Sequence, residues 1–287
     1  MGFSQIGAES DWRRANTESI KAAAAAADVD LVFSDAQQKQ ENQIKALRSF
    51  AVQQVDVIAF SPVVRTGWEP VLKEIKRAGI PVILTDRSVE VSDPSLFLTV
   101  LGADFVEEGR RAGRWLVEAT GGDAGVVVLE GTPGSAPAID RNRGFAEVIA
   151  DHPGIEILRR QTGEFTRAKG REVMQAFLKS PEADRITVLY AHNDDMALGA
   201  IQAIEEAGRA PGTEILVVSI DGVRAALEAI VAGKLNCSVE CNPLLGPSLM
   251  RIVADLRAGK EIERRIVPEE SIFTTENAAA ALPTREY

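Results

Sequence analysis

The chain has 287 residues, 45% hydrophobic and 26% charged, with a net charge of -10 and a pI near 4.9. Such a composition predicts a soluble globular chain of one large or two ordinary domains. The acidic balance has no Lys/Arg cluster to offset it and argues against a nucleic-acid surface, and no apolar run approaches the roughly 20 residues that span a bilayer.

Taken in chain order, the sequence begins inside a first strand with "MGFSQ". The expectation is therefore a cytoplasmic chain or a mature exported form without its signal. Short apolar runs then alternate with helical patterns. Strands are predicted at 29–33, 55–60, 80–84, 96–101, 125–129, 155–160, 186–190, 215–219 and 235–239. Helical faces lie between them, for example Val71, Leu72, Ile75 and Ala78, or Leu245, Leu249, Ile252, Val253 and Leu256. This alternation is that of an α/β fold with parallel sheet and crossover helices. So many strands would make an unusually wide single sheet, and "IPVILTDR" and "EILVVSIDG" echo each other, each an apolar strand ending in an aspartate, Asp86 or Asp221. Two domains joined by short hinges are expected.

Ligands of open parallel sheets bind beyond the carboxyl ends of the strands. Those positions carry Ser4 and Gln5, Asp86 and Arg87, Asn193 and Asp194, Asp221 and Glu240, with Trp12 nearby. Planar amides, carboxylates and guanidinium groups suit adjacent hydroxyls, and an aromatic face suits the C–H patch of a sugar. Each residue also has a plainer reading: helix caps for Asn193, Asp194 and Asp221, lobe packing for Trp12, and ion pairs to Asp86 or Asp140 for Arg87 and Arg141. Their coincidence at several strand ends favours a carbohydrate.

Enzymatic readings fare worse. A Ser-His-Asp device would have to draw on His152 or His192. "GTPGSAP" lacks the Lys-Ser/Thr ending of a phosphate loop, and neither a G-x-G-x-x-G after a strand nor a calcium loop is present. His192, Asp194 and Asp195 point in different directions at a helix start, which disfavours a metal. Cys237 and Cys241 are four strand residues apart, about 13 Å, beyond disulfide reach. They are expected to be small apolar fillers.

Longer stretches carry a family likeness. "GFSQIGAESDWR", "DAQQKQENQIKALRSF", "SPVVRTGWEPVLKEIKRAGIPVILTDR", "AIDRNRGFAE", "GEFTRAKGREVM", "YAHNDDMALGAIQAIEEAG" and "SIDGV" resemble the periplasmic solute-binding proteins of ribose and galactose type, and within these the galactofuranose-binding type. The resemblance runs from Gly2 to about Thr275. It implies a type I periplasmic binding protein fold: two doubly wound parallel-sheet lobes joined by three hinge crossovers, 1–103 plus 242–269 and 104–241 plus 270–287. It further implies a periplasmic, monomeric, non-enzymatic receptor with no cofactor, which closes on a monosaccharide and delivers it to the membrane permease of an ABC importer.

Carried over by position, Asp86 and Arg87 would hold hydroxyls from the first lobe. Asp140, Arg141, Asn193 and Asp221 would do so from the second, Phe165 would stack on the ring, and Glu240 would occupy the hinge. Where ribose binders present two aromatics, this chain has "SQIGAESDWR", so Gln5, Glu9, Trp12 and Arg13 are the expected replacements, with Gln38 beside them. Asp86 is expected to pair with Arg87 or Arg141. Galactopyranose, arabinose and ribose stay open as ligands, as does the effector core of a repressor, which would need a helix-turn-helix headpiece, or a sugar isomerase or hydrolase.

Overall fold

The computed structural model describes residues 1–287. Following the chain, β1 (Gly2–Gln5), α1 (Asp11–Ala26), β2 (Val32–Asp35), α2 (Gln40–Val52), β3 (Ile58–Phe60), α3 (Glu69–Arg77), β4 (Val82–Thr85) and β5 (Thr99–Leu101) build a first sheet. The chain then crosses to a second: α4 (Phe105–Thr120), β6 (Asp123–Glu130), α5 (Ala136–Ile149), β7 (Gly154–Thr162), α6 (Arg167–Phe177), β8 (Val188–Ala191), α7 (Asp194–Glu206), β9 (Leu216–Asp221), α8 (Arg224–Val231) and β10 (Cys237–Glu240). It returns through α9 (Gly246–Arg257), which packs on α1, to β11 (Arg265–Ile266) beside β5, and crosses a third time to β12 (Ile272–Thr274) beside β10, ending in α10 (Ala278–Ala281).

The orders are β11-β5-β4-β3-β1-β2 and β12-β10-β9-β8-β6-β7, the same doubly wound pattern twice. Every pairing is parallel except β10 with β12. Both faces of each sheet are covered by helices, as parallel sheets require. In the first sheet Phe3, Ile20 and Leu249 lie on one side, and Leu47, Trp68 and Leu72 on the other. In the second, Val126 and Tyr190 share one cluster with Leu116 of α4 and Phe145 of α5, while Leu189 shares the other with Met174 of α6 and Ile201 of α7.

The predicted strands are all present, with ends shifted by a few residues: β2 begins at Val32 rather than Val29, and Leu96 lies in a 3-10 turn before β5. The two short edge strands after the second crossing, β11 and β12, were not predicted, because two or three residues are too few for a periodicity to register.

Two local features set the frame for the site. At the α4–α5 crossing a Cβ added to Gly144 would fall 1.9 Å from the carbonyl oxygen of Val106, and one on Gly109 would fall 2.2 Å from that of Arg141. Glycine thus brings α5, and with it Arg141, hard against α4. At the start of α7, Asp194 ties two strands and the turn before α8 together: its carboxylate accepts hydrogen bonds from the Ser219 and Ser238 hydroxyls and from the Val223 amide. Burial pushes its pKa up to about 6 despite those bonds.

Gly144→Ala is therefore expected to destabilise the fold by about 1–3 kcal/mol through overpacking, measured by denaturant unfolding. Stability without strain-related loss in that variant would contradict the close approach. Because the folded chain holds a proton on Asp194 that the unfolded chain releases at lower pH, this residue's contribution falls as pH rises from about 4 through 6, by up to about 3 kcal/mol. Unfolding curves across that interval should diverge between the wild type and Asp194→Asn, and parallel pH profiles would count against it.

Candidate functional site

The carboxyl ends of the two sheets face one another, and between them lies a small cavity with about 20 Å³ of free space. Glu9, Ser10, Trp12, Arg13, Asp86 and Arg87 line it from the first lobe. Pro137, Arg141, Phe165, Asn193 and Asp221 line it from the second, and Cys241 comes from the crossing that follows β10. These residues follow β1, β6 and β8, which flank the points where each strand order reverses, and the ends of β4, β7 and β9, on the side where doubly wound sheets open a crevice.

Local sequence explains how the side chains are aimed. Ser10 caps α1, accepting from the Arg13 amide, so Trp12 and Arg13 emerge on the first turn. Asn193 caps α7 by accepting from Met196, and its amide nitrogen donates to the Phe165 carbonyl, fixing the loop that presents Phe165. Three lining residues have backbones in the left-handed region: Asp86 (φ 62°), Phe165 (φ 63°) and Asp221 (φ 133°). None is glycine, and such strain gathers at ligand sites.

The electrostatics are organised as two buried ion networks, one per lobe. In the first, Arg13 donates to Asp86 at 2.6 Å, to Glu9 at 3.2 Å and to Gln5 at 3.2 Å, while Arg87 lies 3.6 Å from Asp86. Asp86 thus pairs chiefly with Arg13 and more loosely with Arg87, one of the two partners expected, and not with Arg141. Burial opposes the charge on Arg13, but Asp86 and Glu9 outweigh it and raise its pKa. For Arg87, burial and the neighbouring Arg13 win, lowering its pKa to about 10. In the second network Arg141 donates to Glu108 at 2.7 Å and to the His192 carbonyl, and lies 3.6 Å from Asp221. Burial again works against the Arg141 charge, and Glu108, Cys241 and Asp221 more than offset it. Asp221, with burial dominant, has its pKa raised well above the carboxylate range.

Two cavity-lining residues have buried polar atoms with no hydrogen-bond partner in the protein: Glu9 Oε2, an acceptor, and Arg87 Nε, a donor whose nearest anion is Asp86 Oδ2 at 3.6 Å. The Arg87 guanidinium also lies over the Phe165 ring, 5.4 Å from its centre, so the two lobes meet across the cavity in a cation–π contact. Outside the cavity the lobes touch directly on two flanks. On one, Arg65 is ion-paired with Asp140, and its amide donates to the Gly134 carbonyl at 2.9 Å. On the other, Asp195 accepts from the Asp11 amide at 2.7 Å, and Arg167 bridges Asp11 and Asp195 at about 3 Å.

Most expected residues therefore converge: Glu9, Trp12, Arg13, Asp86, Arg87, Arg141, Phe165, Asn193 and Asp221. Four do not reach the cavity. Gln5 lies beneath it, with its side chain taken up by Asn16, Thr17, Arg13 and the Ile6 amide. Gln38 is exposed in the loop after β2. Asp140 is occupied by Arg65 and Arg143. Glu240 turns away from the cavity, where its carboxylate accepts from Arg285, Tyr287 and the Ser271 amide. The reading of both cysteines as mere fillers also needs correction, since Cys241 forms part of the wall. Ser10 and Pro137 were missed as well. A helix-cap pattern marks Ser10, but nothing in sequence marks a cap as also lining a ligand.

His192 is buried and uncharged, its pKa lowered to about 3 by burial and by Arg141, and its Nδ1 accepts from the Gly131 amide. The polar run His192–Asp195 is thereby explained residue by residue: a loop tie, a cap facing the cavity, a strand tie and a lobe tie.

Residues 1–261 match the family described as periplasmic binding protein domain. Over its whole length the chain is 48% identical to the galactofuranose-binding protein YtfQ of Escherichia coli, covering 91% of that protein. It superposes with a TM-score of 0.96, at 50% identity, on the periplasmic binding protein component of the arabinose ABC transporter from Shewanella sp. ANA-3 bound to alpha and beta-L-arabinofuranose, matching 99% of this chain and 95% of that one. A Mycobacterium smegmatis structure in complex with beta-D-fucofuranose gives a TM-score of 0.97 at 54% identity, covering 100% of this chain and 94% of the other. A duplicated doubly wound fold, a polar cavity held between its halves and these likenesses place the chain in the periplasmic binding protein family.

Proposed function

We propose that this protein is the periplasmic receptor of an ABC sugar importer, acting as a monomer, and that it binds one furanose-ring monosaccharide of galactofuranose type in the interlobe cavity. The observation that carries this reading is a polar cavity bounded by both lobes, whose lining residues include Glu9 and Arg87, each with a buried polar atom that no protein group hydrogen-bonds, Oε2 and Nε respectively. A buried donor and acceptor left unmatched cost about 1–3 kcal/mol each, and a neutral ligand rich in hydroxyls satisfies both. The sugars named for the three relatives share a galacto-configured five-membered ring and differ in the exocyclic tail, which supports recognition of the ring.

On this reading the first lobe comprises 1–103 and 242–269 and the second 104–241 and 270–287, a division supported by the sheet membership of β11 and β12. Asp86, Arg87, Arg13 and Glu9 bind hydroxyls from one side, Arg141, Asn193 and Asp221 from the other, and Phe165 and Trp12 supply apolar faces. Charged groups make stronger hydrogen bonds than neutral ones once water is excluded, provided each charge keeps a partner, and the two ion networks meet that condition. The Arg65–Asp140 and Asp11–Asp195–Arg167 contacts form only with the lobes together, so they add to closure without touching the ligand. Delivery is to the membrane permease of the importer.

Titration calorimetry with D-galactose and L-arabinose is expected to show one site per chain. Asp221→Ala should weaken it by more than about 2 kcal/mol, roughly 30-fold, while Gln38→Ala should leave it within about twofold. Unchanged binding by Asp221→Ala would overturn the site assignment. Carbon-13-labelled D-galactose should give a bound signal from the furanose form, and a pyranose signal would overturn the ring assignment while leaving the receptor reading intact. Arg65→Ala should lower apparent affinity about fivefold, in line with a partly exposed ion pair, and a double-mutant cycle with Asp140→Ala should be non-additive. Additive effects would remove the latch from the closure mechanism.

A further inference from the structure

The chain passes between the lobes three times, after β5, after β10 and after β11. The later two passes are stitched together reciprocally: Glu240 accepts from the Ser271 amide at 2.7 Å, and Glu270 accepts from the Asn242 amide at 3.0 Å. Beside this stitch lies a cluster whose three members are not among the sugar contacts proposed above, although Cys241 also forms part of the cavity wall and Glu108 holds Arg141. Glu108, Cys241 and Glu270 bring one carboxylate oxygen, the thiol sulfur and a second carboxylate oxygen within 4.8 Å of one another. Glu108 stands just after the first pass, Cys241 on the second and Glu270 on the third.

Three observations bear on what such a cluster holds. Glu108 is 1% exposed, and while one of its oxygens accepts from Arg141, Oε1 has no nitrogen or hydroxyl donor, the Cys241 thiol being the other side chain that bonds this carboxylate. Glu108 and Glu270 also line a separate pocket of about 710 Å³ on the outer side of the hinge, which includes Asp104, Glu107 and Glu269, with Arg111 as its one basic residue. A concave surface with that charge excess concentrates cations at its mouth. Finally, the Arg141 guanidinium, which would oppose a neighbouring cation, is engaged by Glu108 at 2.7 Å and lies 3.6 Å from Asp221, so its charge is partly met by carboxylates other than Glu270.

We propose that Glu108, Cys241 and Glu270 form a binding site for a divalent cation of zinc type, entered from the acidic outer pocket, and that its occupancy favours the closed lobes. The donor set, one thiolate and two carboxylates, suits zinc or its cobalt and cadmium surrogates better than magnesium or calcium, which take oxygen donors alone. Its ligands come from segments belonging to all three passes, so a bound cation cross-links them at one hinge angle. The donors are gathered in the closed arrangement. A cation held there stabilises that arrangement, and by reciprocity the sugar strengthens the cation's hold. This coupling rests on the receptor reading above, whereas the cation site itself does not.

The test starts with chelator-treated full-length protein and no sugar. Zinc and cobalt titrations, followed by calorimetry and absorption, should show one equivalent bound, with a thiolate-to-cobalt charge-transfer band. That band should vanish in Cys241→Ser and persist in Cys237→Ser, and Glu270→Gln should weaken zinc binding at least tenfold. Glu270 is half-buried, so its variant keeps the test decisive should Cys241→Ser fold poorly. Absence of stoichiometric zinc binding, or a cobalt band indifferent to Cys241 and Glu270, overturns the site. With saturating zinc, D-galactose should bind several-fold more tightly to the wild type and with unchanged affinity to Glu270→Gln. A wild-type affinity that ignores zinc overturns the coupling.

Discussion

The structure depends on keeping opposite charges dry in the gap between two lobes. Arg13 with Asp86 and Glu9, and Arg141 with Glu108 and Asp221, are almost fully buried ion networks. Removing such charges from water is expensive, and the mutual attraction repays it only when each group keeps a partner and a good geometry. Within each lobe that condition is met before any ligand arrives. What is left without a hydrogen bond, Glu9 Oε2 and Arg87 Nε, belongs to residues that line the cavity. The networks therefore perform two tasks: they hold charged donors and acceptors in fixed positions, and they leave a defined remainder for a polar guest.

The rest of the fold serves that arrangement. Two copies of one doubly wound pattern put their strand ends face to face, and the glycine-mediated contact of α4 with α5 brings Glu108 and Arg141 into bonding distance. Asp194 holds β9 and β10 to the start of α7, so the Asp221 turn and Asn193 keep a common frame. Arg285 adds a brace from the end of the chain, donating to the Gly222 carbonyl and to Glu240. Lobe closure then becomes a balance between ligand contacts inside the cavity and the Arg65–Asp140 and Asp11–Asp195–Arg167 contacts on its flanks.

Much of this was legible before any coordinates. Apolar runs such as Val82–Leu84 and Val217–Ile220 are buried on both faces, and continuous hydrophobicity at strand length announces that. The strand-end rule found Asp86, Asn193 and Asp221 because backbone topology alone decides where strand ends meet. Side-chain direction was another matter. Gln5, Asp140 and Glu240 occupy the right positions in the chain, yet each is engaged by a partner distant in sequence: Asn16, Arg65 and Arg285 respectively. No spacing rule contains those partners. Arg13 as the chief partner of Asp86 was hidden for the same reason, being 73 positions away. The edge strands β11 and β12 escaped because their pairing is dictated by the lobe they join and not by their own residues.

The central claim is that the buried ion networks of both lobes jointly enclose one sugar. A crystal structure of the protein grown with D-galactose or L-arabinose tests it most directly. The account predicts a single furanose ring between Phe165 and the two networks, with its hydroxyls within hydrogen-bonding distance of Arg87, Glu9, Asn193 and Asp221. A sugar bound elsewhere, or contacting one lobe alone while Arg87 and Glu9 stay unpartnered, would contradict it.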